Sequence, residues 1–112
     1  MTDEADKLSM DAPPKLTGKQ ARFLRALGHG LKPVVQIGKN GLGATVEGQV
    51  QECLLAHELI KIKVMENSPQ GRDEVALALA QACGASVAQK VGRTILLFRP
   101  HPEDPWLQLP KA

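Results

Sequence analysis

Aromatic residues are nearly absent from this chain of 112 residues, which has two phenylalanines, one tryptophan and no tyrosine. Domains that stack nucleic-acid bases on a row of exposed rings need more aromatic side chains than this. Cys53 and Cys83 are too few for a disulfide framework, so we expect a reducing, cytoplasmic environment. No run of about 18 apolar residues occurs, and we expect no membrane partner. These shortages indicate a small soluble domain with an aliphatic core.

The chain does carry an uneven distribution of charge. Its formal net charge is +2, but residues 15–99 hold twelve basic and six acidic residues. Residues 1–14 carry a net charge of −3 and residues 100–112 a net charge of −1. The central part is therefore basic, which favours a polyanionic partner. The alternative is an ordinary solvated surface that has more basic than acidic residues.

Composition divides the chain into three segments. Residues 1–14 are polar and acidic, and we expect a disordered N-terminal lead-in. Residues 15–100 contain the apolar periodic patterns of one domain. Residues 101–112 are rich in proline and predict an extended tail, in which Trp106 and Leu107 are candidates for docking back on the domain.

Apolar residues at three- and four-residue steps predict three helices. The first begins at the capping box Thr17–Gln20, runs to about Leu27, and has an apolar stripe of Phe23, Leu24, Leu27 and Leu31. Gly28-His29-Gly30 is expected to end it, because glycine accepts the left-handed turn after a helix. The second covers Ala44–His57, with one face formed by Val46, Val50, Cys53, Leu54 and His57. The third covers Asp73–Cys83, and Gly84 ends it.

Four strands alternate with these helices or follow them. They are predicted over Pro33–Ile37, Leu59–Met65, Ala85–Val91 and Arg93–Arg99, the last two joined at Gly92. In the second strand, alternation places Ile60, Ile62 and Val64 in the core and Lys61 and Lys63 toward water or a ligand. The run Ile95–Phe98 is apolar on both faces and should be central. The order α-β-α-β-α-β-β predicts a single compact α+β domain with a four-stranded mixed sheet.

The most informative segment is Gly38-Lys39-Asn40-Gly41, which lies between a predicted strand and the N-terminus of a predicted helix. Glycines allow the backbone to approach a partner closely, and the helix N-terminus favours an anion. With a lysine and an asparagine at its tip, this loop predicts a phosphate-binding site. A tight turn with no ligand is the simpler alternative.

Four motifs in this order resemble a known family, the CRM domain, and more closely its free-standing bacterial YhbY-type RNA-binding form. They are Leu31–Val35, Ile37–Leu42, His57–Lys63, and Gly92-Arg93 together with Leu97–Pro100. The resemblance spans residues 16–100. It implies a fold similar to the C-terminal domain of bacterial initiation factor three, a KH-like GxxG loop that contacts RNA, and association with precursors of the large ribosomal subunit. Gly43-Ala44 departs from the usual threonine and acid, which weakens the cap of the second helix, and Phe98 replaces a common tyrosine.

Further basic residues are candidates for the same RNA-binding surface. Lys32 precedes the first strand, Lys61 and Lys63 lie on the open face of the second, and Arg22 and Arg25 flank the apolar stripe of the first helix. Arg93 and Arg99 bracket the last strand. Each could instead be a solvated surface charge. In the RNA interpretation, Lys39 contacts a phosphate and Asn40 a phosphate or sugar hydroxyl.

Enzymatic alternatives find little support in the sequence. The segment from Gly38 to Thr45 resembles a P-loop, but Ala44 stands where that motif needs lysine. Cys53 and His57 are four residues apart and could share a metal or form a nucleophilic pair, although a buried cysteine and a capping histidine is the simpler interpretation. We therefore expect no catalysis, no cofactor and no metal.

The sequence thus predicts a monomeric protein that binds rRNA in large-subunit precursors and assists ribosome assembly. Two alternatives stay open. One is a general RNA chaperone or splicing-type RNA binder. The other is a ribosome-associated protein-interaction module, in which the basic face is incidental.

Overall fold

A computed structural model describes residues 15–111 of the chain. The predicted order of elements is confirmed, with boundaries that agree within one or two residues. The elements are α1 (Gly18–Gly28), β1 (Pro33–Ile37), α2 (Ala44–His57), β2 (Leu59–Val64), α3 (Arg72–Cys83), β3 (Ser86–Val91) and β4 (Thr94–Phe98). The lead-in predicted for residues 1–14 lies outside the described residues.

The four strands form one mixed sheet in the order β1-β2-β4-β3. β1 pairs with β2 in parallel, and β4 pairs antiparallel with both β2 and β3. β4 is therefore a central strand with a neighbour on each side. This placement explains why Ile95–Phe98 is apolar on both faces, since all four side chains are buried.

Helices cover both faces of the sheet. The α2 and α3 helices pack on one face and enclose the larger core, which includes Val50, Leu54, Leu79, Ile62 and Ile95. The helix α1 covers part of the other face, which we call the α1 face. Its core is smaller and consists of Leu24, Leu59, Ala88, Leu96 and Phe98, with Leu16, Leu107 and Leu109 packed against it.

The prediction for α1 holds at its N-terminus but not at its C-terminus. The capping box is confirmed, because the Thr17 hydroxyl accepts from the Gln20 N–H and the Gln20 side chain accepts from the Thr17 N–H, both at 3.1 Å. The reason predicted for Gly28 is wrong. The helix includes Gly28 and is capped by His29 in a right-handed conformation. Gly28 is needed for packing, since a Cβ there would lie 2.7 Å from both methyl carbons of Leu96.

Two predicted apolar faces are only partly buried. On α1, Leu24 is fully buried, whereas Leu27 is 45% exposed and Leu31, after the helix, is 38% exposed. On α2, Val50 and Leu54 are buried, Cys53 is half-buried and His57 is exposed. Periodicity identified the apolar side of each helix, but tertiary packing decides which of its residues are buried.

The C-terminal segment is docked on the α1 face without forming a helix or strand. Leu107 and Leu109 pack against the smaller core, and the Gln20 side chain donates to the Pro110 carbonyl at 3.0 Å. Trp106 stays 52% exposed. Residues 101–111 thus form part of the folded domain, although they contain no regular element.

A buried glutamate fixes this docking. Glu58, the residue between α2 and β2, is fully buried and adopts the left-handed region at φ 62°. Its carboxylate accepts N–H hydrogen bonds from three residues of the C-terminal segment: His101 at 2.6 Å, Trp106 at 3.3 Å and Leu107 at 2.8 Å. A carboxylate that accepts several N–H bonds is a strong local constraint. We call this arrangement the Glu58 clasp.

No helix among the described residues is long and apolar enough to cross a membrane.

Candidate functional site

The loop Gly38–Gly41 lies at the end of β1, and α2 begins three residues after it. The Gly41 N–H donates to the Gly38 carbonyl at 3.0 Å, which closes the loop into a tight turn. Lys39 and Asn40 form its exposed tip. The chain therefore presents one cation and one amide to solvent on a turn of fixed shape.

The segment 65–71 after β2 holds this loop from the side. The Met65 N–H donates to the Ile37 carbonyl at 2.8 Å, extending the parallel pairing to the start of the loop. The Leu42 N–H donates to the Gln70 side chain at 3.1 Å. Ser68 in turn accepts from the Gln70 N–H at 3.3 Å and donates to its carbonyl at 2.8 Å. The loop is thus braced by hydrogen bonds on both of its flanks.

The two glycines of the loop have different roles. Gly41 is buried with φ 66°, and a Cβ there would lie 2.7 Å from a ring carbon of Pro69 and still closer to the Gln70 side-chain oxygen. Gly38 lies outside the left-handed region, and a Cβ added to it would have an Asn67 oxygen, 3.9 Å away, as its nearest neighbour. The fold requires glycine at Gly41, whereas Gly38 faces open space.

The N-terminus of α2 adjoins the loop. In the part of the chain that the structure describes, no side chain caps its first turn, whose N-cap residue is Gly43. The weak cap predicted from the sequence is confirmed. Uncapped N–H groups and the positive end of the helix dipole favour an anion at this position. Glu47, in the first turn, offsets part of that field.

Within the described chain, Lys39 of the loop forms no ion pair with a carboxylate. Among residues 15–111, the ion pairs are Arg72–Asp73 at 3.0 Å, Lys90–Asp73 at 3.2 Å and Arg93–Glu66 at 3.4 Å. The hydrogen bond from Arg72 holds the pKa of Asp73 below its usual value, and Lys90 adds to this effect. Lys39 takes part in none of these pairs, so its charge is available to an external anion.

The structure brings only some of the predicted residues together. Arg93 lies at the loop end of the sheet, because its carbonyl accepts from the Val64 N–H at 2.8 Å, but its guanidinium pairs with Glu66. Arg99 lies at the opposite end, where its N–H donates to the Glu58 carbonyl at 2.9 Å. Arg99 is therefore separated from the loop by the length of the strands.

A second group of predicted residues lies along the α1 face. Lys61 is half-buried and Lys63 exposed on β2, and Lys63 is in register with Gln36 of β1. Lys32 is exposed just before β1. On α1 itself, Arg22 is exposed and Arg25 is half-buried. These five cations share one side of the sheet. The loop Gly38–Gly41 lies at the end of β1, the edge strand on this side of β2.

Sequence reasoning missed the residues that support the site. The segment 67–71 is not among the site residues predicted from the sequence, yet Pro69 and Gln70 fix the conformation of Gly41 and Leu42. A glutamine that binds a backbone N–H 28 positions away leaves no periodic signal. Glu58 was also missed, although it lies inside the quoted His57–Lys63 motif. Its position immediately after a predicted helix was the one available clue.

The thiols of Cys53 and Cys83 are not activated as nucleophiles. Burial raises the pKa of Cys53, and the Glu52 carboxylate raises it further. Burial and Glu47 likewise raise the pKa of Cys83, against an opposing effect of Arg99. A nucleophilic cysteine needs the opposite shift. Among the described residues, no group of three or more His, Cys, Asp or Glu side chains is placed to share a metal ion.

Comparison with known proteins gives consistent matches. A model of the CRS1 / YhbY (CRM) domain matches residues 16–99. The chain is 40% identical over 95 residues to the probable RNA-binding protein YqeI of Bacillus subtilis, covering 85% of this chain and 99% of that one. It is 36% identical over 96 residues to an RNA-binding protein of Haemophilus influenzae, covering 86% and 96%. The solution structure of the hypothetical protein SAV1595 from Staphylococcus aureus superposes with a TM-score of 0.72 at 36% identity, covering 86% of this chain and all of that one.

Proposed function

Because this chain belongs to the CRS1 / YhbY (CRM) domain family, we propose that it binds RNA and that the loop Gly38–Gly41 is the centre of its binding site. Relatives that match over nearly their whole length are named RNA-binding proteins. The observation that carries the proposal is the geometry of the loop. It presents a lysine, which has no ion pair within residues 15–111, and an asparagine on a braced turn beside an uncapped helix N-terminus.

The mechanism follows from that geometry. The open space at Gly38 lets a sugar-phosphate backbone approach the loop, as in KH-type recognition of about four nucleotides. Lys39 forms a charge-assisted contact with a phosphate, and Asn40 bonds to a phosphate or a ribose hydroxyl. The N–H groups at the start of α2 favour the same negative charge. Gly41 keeps the turn in shape and does not itself touch RNA.

The cations of the α1 face extend the binding surface. Lys61 and Lys63 on β2, Lys32, and the two arginines of α1 attract the RNA through charge and supply phosphate contacts. Arg93 contributes less, because Glu66 neutralises part of its charge. Arg99 acts only at long range, because it lies at the far end of β4. Affinity rests on backbone and charge, so sequence specificity is low.

The RNA proposed is rRNA within precursors of the large ribosomal subunit, in the cytoplasm. The protein acts there without catalysis, as a monomer that holds a maturing rRNA segment in a productive conformation. This assignment rests on the family resemblance of the motifs. General RNA chaperoning is the second candidate function. It is supported by the kind of contact proposed above, because binding through the RNA backbone and through charge does not require a particular RNA sequence.

Salt titration of RNA binding tests the loop directly. The dissociation constant for single-stranded RNA is measured over a range of salt for wild type, Lys39→Ala and Lys90→Ala. Lys90 is the matched control, because it lies on β3, the other edge strand, and already pairs with Asp73. We expect Lys39→Ala to reduce the slope of log K against log salt by about 0.7–0.9, the value for one lost phosphate contact.

Lys90→Ala should leave the slope nearly unchanged. Equal slopes for wild type and Lys39→Ala, in a folded variant, would refute a phosphate contact at the loop. Binding that is insensitive to salt would instead favour an apolar protein-interaction surface.

The ribosomal assignment has its own experiment. Tagged protein from a low-salt lysate is sedimented on a sucrose gradient, and its position is compared with precursor and mature rRNA. Co-migration with large-subunit precursors, lost after RNase treatment or at raised salt, is the expected result. A protein that stays at the top of the gradient while other assembly factors co-migrate would contradict the ribosomal role.

A further inference from the structure

The α1 face contains an open cavity of about 490 Å³ that the loop mechanism does not use. It lies where the C-terminal end of α1 meets the start of β1 and the start of β2. Its apolar walls include Leu27, Leu31 and Val34, and its rim includes Lys32, Lys61 and His57. We call it the β1 pocket.

The walls of the β1 pocket are apolar side chains that the fold leaves uncovered. Leu27 is 45% exposed, Leu31 38% and Val34 45%. Periodicity places the two leucines on one apolar stripe with Leu24, but in the folded domain they stay partly exposed at the pocket. Large apolar side chains that remain accessible around one concavity are typical of a binding site.

The charge of the rim determines what kind of ligand fits. Lys32 and Lys61 are cationic, and no acidic residue is among the described residues that line the pocket. Neither lysine takes part in an ion pair of the described chain. The nearby carboxylate of Glu58 is bound by the N–H groups of the C-terminal segment. An apolar floor under a cationic rim fits a flat aromatic ring, apolar on its faces, that is attached to an anion, and a nucleotide has both parts.

The position of the pocket relates it to the loop. The two lie at opposite ends of β1, a strand of five residues that spans about 17 Å. Between them, Gln36 and Lys63 are neighbours in register and are both exposed. A single RNA strand can therefore contact the loop, pass over Lys63 and reach the pocket along one edge of the sheet.

We propose that the β1 pocket receives one unstacked base of the bound RNA, while Lys32 and Lys61 contact its flanking phosphates. This inference rests on the proposed function and adds a base-binding subsite to it. The pocket compensates for the scarcity of aromatic rings, because the base contacts aliphatic side chains instead of stacking on an aromatic platform. A protein partner that inserts an apolar side chain is the competing occupant, but it has no need of the cationic rim.

A neutral substitution separates base contact from phosphate contact. Val34→Asn makes one wall polar without changing charge, and Val91→Asn is the matched control. Val91 is 55% exposed and lies on the other edge strand. We expect Val34→Asn to weaken binding of a single-stranded RNA decamer roughly five- to tenfold at every salt concentration, with an unchanged salt slope. Val91→Asn should have the affinity of wild type.

Photocrosslinking provides an independent readout. A decamer that contains 4-thiouridine is irradiated with the wild-type protein, and crosslinked peptides are mapped by mass spectrometry. Crosslinks within residues 27–34 or 57–61 support the proposal.

Leu31→Ala replaces Val34→Asn in the affinity measurement if circular dichroism shows that Val34→Asn does not fold, because Leu31 lies outside the strands.

The two proposals fail in different ways. Equal affinities of Val34→Asn and Val91→Asn, with crosslinks confined to the loop, would overturn the base pocket while RNA binding and the Lys39-dependent slope persist. Absence of RNA binding by the wild-type protein would overturn both proposals. If every pocket variant binds RNA with the affinity of wild type, the apolar walls are left to a protein partner, and the base pocket is equally overturned.

Discussion

Alanine substitutions at Gly38 and Gly41 should separate the stability of the loop from its function. The two glycines are equivalent in the GxxG pattern, but their surroundings differ. At Gly41, alanine must adopt φ 66° and place a Cβ 2.7 Å from Pro69. At Gly38, the nearest atom to a new Cβ is 3.9 Å away. The same chemical change therefore has different consequences three residues apart.

The magnitude follows from two contributions at Gly41. The left-handed conformation costs an alanine about 1–2 kcal/mol. Displacement of Pro69 and Gln70 also breaks the hydrogen bond from the Leu42 N–H, at 3.1 Å, which is a further loss of about 1–2 kcal/mol. We expect Gly41→Ala to lower the free energy of unfolding by about 2–4 kcal/mol. Gly38→Ala should change it by less than about 0.5 kcal/mol.

Urea denaturation followed by circular dichroism measures both values, and RNA binding is measured under conditions where each variant is folded. Gly38→Ala should keep its stability and lose affinity, because its methyl group occupies the space into which the RNA backbone moves. Gly41→Asn separates the two costs, since asparagine tolerates the left-handed region but keeps the Cβ. Wild-type stability of Gly41→Ala would refute the contact with Pro69, and wild-type RNA affinity of Gly38→Ala would refute close approach at the loop.

Substitutions at two further positions test other parts of the structure. Glu58→Ala should lower the free energy of unfolding by about 2–4 kcal/mol, since it leaves three partly buried N–H groups without their charged acceptor. Urea denaturation measures this change. Increased acrylamide quenching of Trp106 fluorescence should report release of the C-terminal segment. Gly43→Ser should stabilise the domain by roughly a few tenths of a kcal/mol, because a Cβ meets nothing within 4 Å and the hydroxyl can cap the first turn, a position where serine is only slightly better than glycine. Gly43→Asp should stabilise the fold similarly but weaken RNA binding by repelling phosphate; equal RNA affinities of the serine and aspartate variants would place the RNA away from the start of α2.

Local patterns predicted the elements of this fold well. The capping box at Thr17, the alternation in β2 and the doubly apolar run in β4 each depend on neighbouring residues, and each is confirmed. The motifs also identified the family correctly. These features are encoded within a few positions of one another, which is why a single sequence was enough.

Features that depend on distant residues could not be predicted in the same way. An amphipathic pattern shows that Leu27 is on the apolar side of α1, but not that it stays 45% exposed in the folded domain. The sequence of the loop does not show that Gly38 tolerates a Cβ and Gly41 does not, because the atoms that crowd Gly41 belong to Pro69 and Gln70 in another turn. The role of Gly28 likewise depends on Leu96, a residue of the last strand. Tertiary contacts set each of these properties.

The Glu58 clasp also has a consequence for the order in which the domain is completed during synthesis. The chain grows from its N-terminus, so all the strands and helices of residues 15–111 have been translated by residue 98. At that stage the Glu58 carboxylate lacks its hydrogen-bond donors, because His101, Trp106 and Leu107 have not yet been translated. Domains fold as units as they emerge from the ribosome. The residues translated after the last strand therefore supply the closing contacts, and a nascent chain truncated before residue 101 has every regular element of the domain but not its finished state.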